Sequence, residues 1–371
     1  MDLMAYRNPF KPTAGASPPL LVGRDEVLEE FEESIDDGPG APGRLSLITG
    51  PRGVGKTVVL NAVHDIVVAK GWIAIAETAT TGMCDRITQA VRRHHEELRQ
   101  GRSARVRGIT LPVVGGGLTF ESRADPPADL RESTASLLDE LEPNETGLLI
   151  TVDEVHRKSV GEIRHLATVV QHLVREDRNI ALVMAGLPSA VSDVLSDSVL
   201  TFMRRASREE LSDVSLADVR ESLAETITRN GRTITSSALD AATEATGGYP
   251  FMVQLVGYHC WRKTTGSAID DAATSSGIPA ARKRLGSTVH AAALADLSAV
   301  DRTVLLAIAV DDGPARTADV ARRIGESAKY VSIYRQRLID AAVIQPAGRG
   351  FVDFTIPYLR EYLREHAASA L

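Results

Sequence analysis

At 371 residues the chain exceeds what one compact core usually organises, so two or three domains of about 100–200 residues each are expected. A composition of 43% hydrophobic and 25% charged residues excludes a disordered chain. The net charge of −7 excludes a global positive field for nucleic acid, so any DNA contact must come from a local patch.

Residues 1–43 read as a lead-in: a Pro/Gly-rich entry, a helix over Asp25 to Ile35, and the loop DDGPGAPG from Asp36 to Gly43. Residues 44–214 then alternate apolar runs with amphipathic stretches. RLSLIT (Arg44 to Thr49), WIAIAE (Trp72 to Glu77), LLITVDE (Leu148 to Glu154) and IALVMAG (Ile180 to Gly186) are near-continuous apolar strands, which predicts an α/β core with a parallel sheet covered on both faces. Alternation around Gly115 to Gly117 predicts an inserted β-hairpin near residues 106–122, and a fifth strand is expected near Glu210 to Val214.

Residues 215–290 carry helical patterns only, at Leu216 to Asn230, Ser236 to Thr246 and Phe251 to Thr264, and form a small helical lid. Thr265 to Ser275 is poor in large apolar residues and reads as a loop before a further helix. Residues 296–371 follow a different plan. Helices at Asp301 to Val310, TADVARRI and Ala328 to Ala342 precede two strands around a Gly-Arg-Gly turn and a closing helix at Tyr358 to Ala368. Three helices and a two-stranded wing describe a winged helix-turn-helix.

Cys84 and Cys260 lack metal-ligand spacing, so neither a disulfide framework nor a zinc site is expected. The N-terminal residues lack a signal peptide's apolar core, and no apolar run approaches the ~20 residues of a membrane span. The expectation is a cytoplasmic protein with no membrane contact.

Gly50-Pro51-Arg52-Gly53-Val54-Gly55-Lys56-Thr57 satisfies GxxxxGK[ST] between an apolar strand and a helix that starts at Val58. Glycines let backbone N–H groups turn inward around phosphates; Lys56 would reach the β- and γ-phosphates, and the Thr57 hydroxyl would ligate Mg2+. LLITVDE ends its strand on two acids, of which Asp153 would hold the metal shell and Glu154 would polarise the attacking water as general base. His156, just beyond, is read as a structural hydrogen-bonding residue rather than as part of a helicase box.

The phosphate loop, acidic strand, helical region and winged helix, in this order, resemble AAA+ ATPases, most closely the prokaryotic archaeal-ATPase and replication-initiator-like group. The resemblance spans nearly the full length and implies ATP as the nucleotide. Leu21-Val22-Gly23-Arg24-Asp25 is similar to the family's GR box, which implies an adenine-side role for Val22, Gly23 and Arg24. Thr246-Gly247-Gly248-Tyr249-Pro250-Phe251 is closer to the GxP element of STAND signalling ATPases, which implies a base-side contact for Pro250. Phe251 stands where initiator-type relatives carry a second-sensor arginine, and Leu187-Pro188-Ser189 stands at the first sensor, with Ser189 as the polar candidate. Arg204 or Arg205 falls where the family places a trans arginine finger, which would make the protein a homo-oligomer; a surface or lid-contacting arginine is the alternative. These irregular sensors favour slow hydrolysis and a nucleotide-gated switch.

In a DNA-binding winged helix the second helix of the motif enters the major groove. Here it carries Lys329, Tyr330, Arg335 and Arg337, with Arg322 and Arg323 before it and Arg349 on the wing tip, a basic patch within an acidic protein. The leading expectation is an ATP- and Mg2+-dependent ATPase associated with double-stranded DNA. The alternative is a STAND-like signalling ATPase whose winged helix binds protein.

Overall fold

The structure is a computed structural model that describes residues 7–13, 15–100, 129–196, 200–295 and 297–366. The hairpin expected near residues 106–122 and the end of the closing helix beyond residue 366 lie outside these residues.

After α1 (Asp25–Asp36), the α/β part runs β1 (Leu45–Thr49), α2 (Lys56–Ala69), β2 (Ile73–Thr78), α3 (Met83–Arg99), α4 (Leu130–Leu141), β3 (Leu148–Val155), α5 (Val160–Arg175), β4 (Ile180–Gly186), α6 (Pro188–Ser196) and β5 (Ser207–Glu210). The strands form one parallel sheet in the order β2-β3-β4-β1-β5. Alternate residues of β4 face opposite sides: Ala181, Val183 and Ala185 pack with α1 and α2, whereas Ile180, Leu182 and Met184 pack with α3, α4 and α5. Burial on both faces is why β4 is apolar at every position.

β5 begins three residues earlier than the sequence reading placed it. It is an edge strand of Ser207, Arg208, Glu209 and Glu210, paired only with β1, so it needs no apolar run. Of the apolar residues beyond it, Leu211 still donates its N–H to the Thr49 carbonyl of β1, whereas Val214 has left the sheet and its N–H donates to the Gly248 carbonyl.

The helical region comprises α7 (Leu216–Arg229), β6 (Thr233–Ile234), α8 (Ser236–Thr246), α9 (Pro250–Lys263), β7 (Ala268–Ile269) and α10 (Asp271–Leu285), which continues through a π-helical turn (Gly286–His290) into α11 (Ala291–Ala295). Two corrections to the sequence reading arise here. β6 and β7 pair in parallel, so the region is not helical throughout. The supposed loop to Ser275 is already helix from Asp271, capped by the Asp270 carboxylate on the Ala273 N–H. Its small residues serve close packing: a Cβ on Gly277 would lie 2.8 Å from the Cys260 nitrogen on α9.

The C-terminal region comprises α12 (Ala299–Ala309), β8 (Ala315–Arg316), α13 (Thr317–Ile324), α14 (Ala328–Asp340), β9 (Ile344–Pro346), β10 (Phe351–Phe354) and α15 (Leu359–Glu365). β9 and β10 pair around the Gly-Arg-Gly turn, and β8 adds a third antiparallel strand in the order β8-β10-β9. The region is docked on both others. The Tyr358 hydroxyl donates to the Ala245 carbonyl at 2.8 Å, the Arg282 guanidinium lies 4.1 Å from the Tyr358 ring centroid, and the Ser189 hydroxyl donates to the Asp340 carbonyl. Among the described residues no helix is long and apolar enough to cross a membrane.

Candidate functional site: the phosphate loop and acidic strand

β1 ends at Thr49, and the chain turns through Gly50 (φ 153°), Gly53 (φ 78°) and Gly55 (φ 97°) into α2 at Lys56. All three are backbone angles that a side chain resists, which is why the motif spends its glycines there. The Lys56 ammonium donates to the carbonyls of Gly50 (2.8 Å) and Pro51 (2.6 Å), bridging the mouth of the loop. Burial drives its pKa down to about 8, with Asp153 pulling in the opposite direction. A lysine held this way gains most from an incoming phosphate, whose negative charge would restore the ammonium's preference for its proton.

β3 lies two strands from β1, yet brings its acids to the same edge. Its register against β4 shifts between Val152 and Val155, and Glu154 adopts φ 55° within that bulge. A bulge re-aims side chains where pairing would otherwise alternate them, and a left-handed non-glycine residue is strain held by its surroundings. The Asp153 carboxylate is fixed from both sides: Oδ2 accepts from the Thr57 hydroxyl at 2.6 Å and Oδ1 accepts from the Glu154 N–H at 2.7 Å. Thr57 and Asp153, 96 residues apart in sequence, thus present adjoining oxygens, a donor set that suits a hard divalent cation. The Glu154 side chain is exposed beside them.

His156 precedes the short 3-10 helix Arg157–Ser159; its backbone N–H donates to the Ser159 hydroxyl and its side chain is exposed. Gly186, at the end of β4, pairs with both Thr49 of β1 and Val155 of β3. Ser189 follows three residues later on the first turn of α6, where its hydroxyl is bonded to the end of α14.

The remaining candidates are dispersed. Val22 is half-buried and packs on the large core, Gly23 has φ 62°, and Arg24 is buried with its guanidinium on the carbonyls of Ser212 (2.6 Å) and Val54 (3.2 Å). Arg24 therefore holds backbone from behind the loop, a role that the GR-box comparison did not anticipate. Pro250 opens α9 and Val58 lies in the first turn of α2, both half-buried. Arg204 and Arg205 are exposed on a 3-10 turn just before β5, and the Arg204 Nε donates to the Leu195 carbonyl. Tyr249, which the sequence offers only as part of Gly247-Gly248-Tyr249-Pro250, is 1% exposed and donates its hydroxyl to the Arg52 carbonyl inside the phosphate loop. An aromatic beside the α9 proline was its only sequence signal.

The basic patch is smaller than its sequence count. Arg337 pairs with Asp301 at 2.8 Å, and that carboxylate is wholly buried in the capping box of α12. Arg323 bonds both oxygens of Asp311 and the Ala307 carbonyl, and Arg322 pairs with Asp319 on its own helix. Tyr330 lies against Tyr334, ring centroids 4.9 Å apart. Lys329 and Arg349 are exposed and Arg335 half-exposed.

Residues 20–184 match the AAA ATPase domain family, and residues 287–363 match a domain of unknown function, DUF8462. None of the curated proteins matches the chain in sequence. Among solved structures, the chain is similar to the Walker-type ATPase PABY2304 of Pyrococcus abyssi, with a TM-score of 0.68 and 15% identity over 93% of this chain and 96% of that one. It is likewise similar to the ORC2 protein of Aeropyrum pernix, solved as ADPNP-ADP complexes, with a TM-score of 0.64 and 13% identity over 97% and 98% of the two chains. At such identities the likeness is one of fold.

Proposed function

We propose that this chain, whose residues 20–184 match the AAA ATPase domain family, is a P-loop ATPase that works as a nucleotide-gated switch on double-stranded DNA. ATP sits between the α/β core of residues 44–214 and a helical lid of residues 215–290, behind the lead-in of residues 1–43. The winged helix of residues 296–371 delivers the output. Lys56 neutralises the β- and γ-phosphates, and Thr57 with Asp153 holds Mg2+, which supplies charge neutralisation of the transferring phosphoryl. Glu154 takes the proton of the attacking water. Turnover is slow, because Phe251 stands where a second-sensor arginine would reach the γ-phosphate. Of the two candidate trans fingers Arg205 is preferred, since Arg204 already serves the Leu195 carbonyl.

The observation that carries this reading is the bond from Ser189 to the last residue of α14. Ser189 follows the strand end that pairs with both the phosphate-loop strand and the acidic strand, so a shift there on binding or loss of the γ-phosphate has a direct mechanical route to the helix that would enter the groove. A switch needs nucleotide to bind its two states with different affinity, and a contact made in only one of them supplies that difference.

A second reading, a STAND-like ATPase whose winged helix binds protein, draws support from two exposed apolar side chains on the same module, Ile333 on α14 (55% exposed) and Phe351 on β10 (38%). The readings separate in one assay. Replacing Lys329 and Arg335 together by alanine is expected to weaken binding of duplex DNA in fluorescence anisotropy and to lower the slope of log affinity against log salt by about 1–2. Unaltered affinity and slope, or no DNA binding by the wild type, would leave the protein-binding reading in place.

A further inference from the structure

Three successive carbonyls of the phosphate loop are each held from outside by a donor that the motif itself does not contain. The Tyr249 hydroxyl donates to Arg52 O at 2.6 Å, the Phe251 N–H donates to Gly53 O at 3.2 Å, and Arg24 Nη2 donates to Val54 O at 3.2 Å. In a planar trans peptide the N–H points opposite to the carbonyl of the same unit, and the chain has no cis bond among the described residues. The N–H groups of Gly53, Val54 and Gly55 are therefore turned to the side away from these three donors. The Lys56 ammonium takes up the two preceding carbonyls, Gly50 O and Pro51 O. All five of these carbonyls are thus satisfied within the protein, and the Gly53, Val54 and Gly55 N–H groups, each opposite an externally held carbonyl, are the donors from which a backbone anion nest is made.

We propose that Tyr249 is a positioning residue for nucleotide phosphates: by fixing the Arg52–Gly53 peptide it preorganises the nest, and because it comes from the helical region it links phosphate affinity to the placement of that region. Tyr249 is fitted to the task. Its ring is 1% exposed, and a Cβ on Gly53 would fall 1.9 Å from its hydroxyl, so the loop glycine and the tyrosine occupy one space jointly. Burial pushes the phenol pKa well up, which keeps the hydroxyl a donor at any working pH. The turn that carries it is fastened in its own right. Gly248 O accepts from Val214 N at 2.8 Å, and a Cβ on Gly248 would lie 2.3 Å from Val214 O, so the residue before the tyrosine cannot move without disturbing the exit from β5. Coupling of this kind is reciprocal: phosphates that favour the organised nest favour the docked helical region by the same factor.

This inference rests on the nucleotide site alone and is independent of the DNA reading. Its test is competition binding of ADP and of AMP against a fluorescent ADP analogue, for the wild type and for Tyr249→Phe, which deletes one hydroxyl and keeps the packed ring. ADP affinity is expected to fall about tenfold, the weight of one well-placed hydrogen bond, while AMP, which lacks the β-phosphate that the nest holds, changes less than about twofold. Equal losses for both nucleotides would mark a general packing defect and overturn the proposal, as would unchanged ADP affinity. Arg24→Gln, which releases the Val54 carbonyl through a different segment, should show the same β-phosphate selectivity and keeps the question decidable if the tyrosine variant misfolds; a loss without that selectivity would count against the nest. A wild-type chain that bound no ADP would remove the nucleotide site itself, and the inference with it.

Discussion

The phosphate site and the C-terminal basic patch were both legible in the sequence as clusters of chemically apt residues, and they fared differently on folding. At the phosphate site the motif residues converge: Lys56 closes the loop, and Thr57 meets Asp153 at 2.6 Å across 96 residues of chain. In the C-terminal region three of the six basic candidates are answered from within, Arg337 by Asp301, Arg323 by Asp311 and Arg322 by Asp319. A phosphate-loop motif specifies backbone shape, because its glycines and its strand-to-helix setting admit few conformations. A count of arginines specifies nothing about which acids the fold will bring to them.

That contrast can be broken or sharpened by substitution. The largest effect belongs to the convergent site: Glu154→Gln should retain ATP binding and lower steady-state hydrolysis by at least about a hundredfold, on the scale of a lost general base. Normal phosphate release by this variant would remove Glu154 as the base and weaken the claim that the β3 bulge aims it. Next is Arg337→Ala, which strips the wholly buried Asp301 of its cation and should cost about 1–3 kcal/mol in urea unfolding while the salt dependence of DNA binding stays as in wild type. Intact stability with a reduced salt slope would mean that Arg337 faces DNA after all.

The smallest effect is a pH dependence. Because burial holds the Lys56 pKa near 8, below its ordinary value of about 10.5, the nucleotide-free protein loses the proton there as pH rises through 8, whereas the unfolded chain keeps it until about 10.5. Unfolded chain thus binds more protons across that window, so the penalty this group imposes on the nucleotide-free fold is full below pH 8 and is relieved as pH rises to 10.5. Phosphates favour the ammonium, so ADP affinity should decline above pH 8 with proton uptake on binding, measurable by calorimetry in buffers of different ionisation enthalpy. Flat affinity from pH 7 to 9.5 would contradict the placement of Lys56 in a desolvated loop.

Four of the five strands of the large sheet were readable from their apolar runs: β1, β3 and β4 lie within the sheet, and the edge strand β2 still buries Ile73 and Ile75. The fifth was misplaced because an edge strand such as Ser207–Glu210 owes its position to pairing with β1 rather than to its side chains. The start of α10 was missed because its first residues, Asp271 to Ser276, are small or polar and carry no apolar periodicity. In the site, Lys56, Thr57, Asp153 and Glu154 were legible from motif and context. The grip of Arg24 and Tyr249 on loop carbonyls was not, because a side chain that bonds backbone leaves no signature in the residues it bonds. The same holds for Ser189, whose partner is a main-chain carbonyl 151 residues away.

The central claim is that the nucleotide state governs the DNA-facing helix, and it is tested most directly by duplex-DNA anisotropy with the Glu154→Gln protein, compared in saturating ATP and in saturating ADP at one low salt concentration. Affinities are expected to differ by about tenfold or more between the two states, with the difference lost in the Ser189→Ala background. Equal affinity in ATP and ADP would contradict it.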